Sequence, residues 1–135
     1  VNKKEIKNNY FDENYFLYFE TFDFCKNLKK KGKKLFVCKN IKYHHKGSAS
    51  VSKKFEKIVK LTRAFHYNWS KFYYFKKNYS LIYAYKKTIV ILLINFFKLI
   101  IFSFLDKRKR VIYYSQMSGL INSYMGYKSY KRLKL

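Results

Sequence analysis

The chain has no proline, only four glycines and only two cysteines in 135 residues. So few glycines leave no glycine-rich turn of the kind that wraps a phosphate. Cys25 and Cys38 lie thirteen positions apart with no CxxC pairing. One pair is no disulfide framework, and zinc has no ligand set to use. Both read as reduced, partly buried thiols in a cytosol-facing domain. Acids are the other scarcity: seven, against 31 basic residues. Five of the seven, Glu5, Asp12, Glu13, Glu20 and Asp23, fall in the first 23 positions. No Asp-x-Asp metal motif is present.

What is abundant is apolar and basic. Hydrophobic residues make up 49% and aromatics 22%, too rich for a disordered polymer. The length suits one modest domain. The net charge of +24 raises nucleic acid or an anionic membrane as partners. Lysine far outnumbers arginine, whereas phosphate and base readout favour the bidentate arginine fork. Lys, Asn, Ile, Phe and Tyr are enriched together, as an A/T-biased genome produces. Nucleic acid is therefore not the expected partner, and a membrane surface is.

The start, Val1-Asn2-Lys3-Lys4, carries no initiator methionine and no signal-peptide core, as expected of a segment from a longer chain. Asp12, Glu13 and Asn14 suit a turn. Tyr15 to Phe19 reads as a buried strand or the lead-in to a helix. Phe22, Cys25 and Leu28 then share a helical face, with Thr21 as cap, Asp23 in the first turn and Gly32 as stop. Leu35 to Cys38 and Ile41 to His44 read as two short strands. A polar loop, residues 45–50, leads to Ser52 as the cap of a helix running toward Tyr79.

Thr88 to Leu105 is nearly all apolar. As a helix it is roughly 27 Å long, just short of a hydrocarbon core. Lys98 near its middle costs about 2.5–3.5 kcal/mol on insertion scales. Asn95 and Lys98, three apart, share a face, and basic residues flank both ends. The segment fits an interfacial or re-entrant helix, a spanning helix, or a buried one. From Val111 a helix-like stretch follows, interrupted at Ser118-Gly119 and at Gly126.

The acids at the strand–helix junction carry the first chemical expectation. Glu20 and Asp23 lie among Tyr18, Phe19 and Phe22, whose shielding pushes a carboxyl toward the range of a general base. The helix N-terminus pulls the other way on Asp23.

The stretch Phe11-Asp12-Glu13 to Phe16, Tyr18, Phe19, Glu20, Asp23 and Cys25 resembles the acidic motif of family 2 glycosyltransferases, including the rhamnosyltransferase, O-antigen and polysaccharide group. Tyr43 to Ser50 is similar to that family's His-x-Gly-x-x-Ser loop, placing His45, Gly47 and Ser50 with His44 beside them. Arg63 to Lys77, with His66, Tyr67 and Trp69, resembles its Arg-x-x-His-Tyr helix. Together the blocks cover about residues 3–80.

The resemblance implies an α/β fold: the C-terminal end of a GT-A-like, nucleotide-diphospho-sugar transferase domain over 1–52. A basic-aromatic helix over 53–87, a membrane helix over 88–105 and a basic helical tail over 106–135 follow. It implies sugar transfer with inversion from a nucleotide-sugar to a glycan or lipid-linked acceptor at the cytoplasmic face of a membrane. Glu20 and Asp23 become the catalytic acids. His45, with His44, Gly47 and Ser50, lies near the diphosphate and a divalent metal, Mg or Mn. Arg63, His66 and Trp69 face the acceptor or diphosphate. The family's usual base position falls on Thr21, and its frequent arginine on Asn27. The donor-binding half has no counterpart here, so the chain alone is expected to be inactive. A small, basic, non-enzymatic membrane protein is the alternative.

Overall fold

A computed structural model describes residues 11–37, 39–42, 44 and 52–129. All regular structure among them is helical: α1 (Glu20–Lys30), a 3-10 turn (Lys53–Phe55), α2 (Glu56–Asn78), α3 (Leu81–Leu105) and α4 (Lys107–Tyr124). The α/β, GT-A-like expectation is thereby overturned. Among the described residues, 33–37 and 39–42 form no strand and no bridge. Phe36, Val37 and Ile41 are 83%, 88% and 72% exposed. A short apolar run becomes a strand only where a neighbour takes up its backbone hydrogen bonds, and none of the described residues does so. Cys38 and Tyr43 lie outside the described residues.

Tyr15 to Phe19 is a lead-in rather than a strand. Tyr18 and Phe19 both take left-handed backbone angles, φ 67° and 66°, a strained choice for aromatic residues. Packing holds it. Tyr18 meets Tyr67 edge-on, and Phe19 lies against Phe22, Tyr67 and Tyr74. The Ser70 hydroxyl donates to the Leu17 carbonyl at 2.7 Å. α1 starts at Glu20 with no side-chain cap, so Thr21 lies inside the first turn. Gly32 (φ 72°) closes it: the Gly32 and Lys33 amides donate back to Lys29 and Leu28, the usual glycine stop.

Ser52 caps nothing with its side chain; its carbonyl accepts the Phe55 amide. α2 ends at Tyr79, and Ser80 caps α3 by accepting the Tyr83 amide at 3.1 Å. Asp106 alone joins α3 to α4 and caps α4 through the Arg108 and Lys109 amides. Such short links fold α2, α3 and α4 into an up-down-up bundle, with α2 and α4 parallel. Phe72, Ala84 and Leu120, one from each helix, are buried together under Phe75, Ile91, Leu92 and Tyr124.

Gly119 does not interrupt α4. A Cβ there would lie 2.2 Å from the Phe65 carbonyl oxygen, so glycine is what lets α2 and α4 approach. Gly126 (φ 77°) is the true stop. Beyond it the chain crosses α2: the Trp69 indole donates to the Tyr127 carbonyl at 2.9 Å, and Ser129 to that of Asn14 at 2.5 Å.

α3 is turned inside out. Its buried residues are Ala84, Thr88 and Asn95, while Ile89, Val90, Leu93, Ile94, Phe97 and Phe104 lie exposed. The Thr88 hydroxyl donates to the Ala84 carbonyl and meets Tyr124. Asn95 and Lys98 part company: Asn95 is 5% exposed and Lys98 lies at the surface over the Tyr113 ring. The helix is long and apolar enough to cross a membrane, and only 11% of its most apolar stretch is buried in the protein.

Candidate functional site

The acidic segment and α2 are far apart in sequence and meet through one ammonium group. Lys77 Nζ lies 2.6 Å from Asp12 Oδ2 and 2.7 Å from Asp23 Oδ2. Tyr73 donates to the same Asp12 oxygen at 3.0 Å. The Asn14 amide and side chain take the other oxygen at 2.9 and 2.8 Å. Asn78 donates to Asp23 Oδ1 at 2.5 Å, and Asn27 to Oδ2 at 3.3 Å.

Asp12 is partly buried, which opposes ionisation, but Lys77, Asn14 and Tyr73 outweigh this and hold its carboxyl below 3.8. For Lys77 burial again opposes the charge, and the two carboxylates prevail, holding it above 10.5. Burial, and then the bond to Asp12, push the Tyr73 phenol up to about 12. Burial likewise raises Tyr15, which stands edge-on to Tyr73.

The expected site residues separate into different environments. Asp23 is 1% exposed, and both of its oxygens are taken. Its place is that of the anchor joining α1 to the end of α2. Glu20 is half-buried at the start of α1, and its Oε2 is buried with no hydrogen-bond partner among the described residues. His66 is fully buried between the Phe16 and Phe65 rings. Trp69 is buried, stacked on Tyr73 and bonded to Tyr127. Arg63 is exposed one turn earlier on α2. His44 is exposed. His45, Gly47 and Ser50 lie outside the described residues.

Among the described residues no three His, Cys, Asp or Glu side chains gather as metal ligands. Asp12 and Asp23 share Lys77 between them. No step through Mg or Mn is therefore derived from them.

In sequence Lys77 has no role of its own, and Asp12 has a turn and a place in the acidic motif. A lysine in a lysine-rich chain carries no distinguishing signal. Asp12 had one: it is an acid at the head of the segment that also carries Asp23. Compared with known protein families, with curated proteins and with solved structures, the chain matches none.

Proposed function

We propose that the chain is the acceptor-side, membrane-facing end of an inverting sugar-transferring enzyme at the cytoplasmic face of a membrane. The donor-binding part lies outside these residues, and Glu20 is the carboxylate turned to the acceptor hydroxyl. The observation that carries this reading is the union of two motif blocks more than fifty positions apart. Leu17 meets Ser70, Asp12 meets Tyr73 and Lys77, and Asp23 meets Lys77 and Asn78. That union occupies Asp12 and Asp23 and leaves Glu20 with a buried carboxylate oxygen that has no partner among the described residues. A carboxylate in that state is suited to accept a hydroxyl proton. The exposed apolar side of α3 supports a membrane location.

The mechanism asks little of these residues beyond position. Glu20 takes the proton of an acceptor hydroxyl as that oxygen attacks the anomeric carbon of the donor sugar and the nucleotide diphosphate leaves. The Asp12–Lys77–Asp23 clamp fixes the first turn of α1, and so Glu20, against α2.

A lipid-linked disaccharide titrated into the chain in nanodiscs tests this. Saturable binding, weakened several-fold by Glu20→Gln with helicity unchanged, is expected. Equal affinity of the variant and the parent would sink it. Without its donor half the chain shows no micromolar binding of nucleotide-sugars with manganese by calorimetry.

The engagement of Asp23 favours a second reading, a basic membrane-associated protein without catalysis. That reading expects liposome binding to depend on Lys107–Arg110 alone, and Glu20→Ala to change nothing.

A further inference from the structure

At the end of the bundle opposite the clamp, the first turns of α2 and α4 enclose a groove of about 470 Å³. Four cations line it: Lys53, Lys57, Lys60 and Arg108. Glu56 is the one acid, and Leu61 and Ile112 are its apolar residues. None of the four cations makes an ion pair with a carboxylate among the described residues. Four cations against one carboxylate leave the groove with a net positive charge that suits an anion. Arg108 adds the planar fork that suits phosphate oxygens.

The surroundings say which anion. Arg108 follows Leu105 by three positions, and Phe104 and Leu105 are 88% and 73% exposed. The Lys109 ammonium lies 5.0 Å over the Phe102 ring, which fixes the basic run against the end of α3. The groove thus adjoins the end of the outward apolar side of α3. A ligand suited to both has a multiply charged phosphate at one end and hydrocarbon at the other.

We propose that this groove binds the phosphate headgroup of a membrane lipid, a phosphomonoester or diphosphate, whose chains pass against the outward apolar side of α3. The inference rests on the membrane location argued above and is independent of sugar transfer.

The test measures binding of the whole chain to phosphatidylcholine vesicles doped with phosphatidic acid, or with phosphatidylglycerol to equal surface charge. Phosphatidic acid vesicles bind more tightly than phosphatidylglycerol ones. Lys57→Gln/Arg108→Gln lowers the first affinity about tenfold. Lys29→Gln/Lys30→Gln, an equal loss of charge on exposed positions of α1, changes it less than about twofold. Lys53→Gln/Lys60→Gln repeats the pocket loss independently, with circular dichroism confirming helicity in each case.

Equal losses in pocket and α1 variants would reduce the effect to diffuse attraction and overturn the proposal, as would equal affinity for the two lipids. Inorganic pyrophosphate bound by the free chain as tightly as the vesicles would move the site to a soluble phosphate and overturn the lipid assignment. Failure to bind any vesicle removes the membrane location itself. Binding that ignores the pocket removes only this inference.

Discussion

Lys77 reaches two carboxylates of the acidic segment, and with Asn78 it ties the start of α1 to the end of α2. Replacing it by methionine leaves Asp23 buried beside only asparagine donors. Breaking a fully buried pair costs about 3–5 kcal/mol; Lys77 keeps 31% of its side chain in water, so Lys77→Met is expected to cost about 2–3. Urea denaturation measures it, and a loss under about 0.5 kcal/mol would contradict the clamp. The clamp also fixes a pH window. Asp12 titrates lower folded than unfolded, so its contribution is present above about pH 4 and is lost as pH falls through its folded value. Lys77 titrates higher folded, so its contribution is present below about pH 10.5 and is lost as pH rises through its folded value. Thermal midpoints should therefore plateau between these limits, and the gap between parent and Lys77→Met should narrow in acid. Trp69→Phe tests the neighbouring tie: losing the bond to the Tyr127 carbonyl is expected to cost about 1 kcal/mol and to free the 125–129 segment in hydrogen exchange.

At the scale of elements, Gly119 decides how closely α2 and α4 pack. Gly119→Ala must push the helices apart or bend one, since the obstacle is the Phe65 backbone rather than a flexible side chain. A loss of about 1–3 kcal/mol is expected in spite of alanine's better helix propensity. A neutral or stabilising result would contradict the close approach. The same glycine shows what was legible in the sequence. Its weak helix propensity suggested a break, and only the neighbouring helix explains why it sits mid-helix. Periodicity found α2, and it found α1 to within two residues at its start, because their apolar positions follow the helical repeat. α3 began seven residues before its apolar core, at a serine cap that composition does not mark. Leu35–Val37 and Ile41 had the composition of strands and lacked partners, a property no local pattern contains. The Asp12–Lys77–Asp23 cluster was invisible for the same reason. Its two acids stood out among few, but Lys77 did not, and only the fold brings the three together.

Taken whole, the molecule has a charged body and one apolar side. α2 carries Arg63, Lys71 and Lys76 along its length, and α4 opens with four basic residues, so neither can follow α3 through hydrocarbon cheaply. On the membrane location proposed above, two charged helices packed along α3 and lysines at both ends favour α3 in the interface plane, its outward side to lipid and Thr88 and Asn95 toward the bundle. The direct measurement is nitroxide accessibility on vesicles in a Cys25→Ser/Cys38→Ser background, with single labels at Phe97→Cys and Lys30→Cys. The account predicts a Phe97 label shielded from aqueous nickel chelate and reached by oxygen, with the Lys30 label remaining in water. A Phe97 label as open to the chelate as the Lys30 label would contradict it.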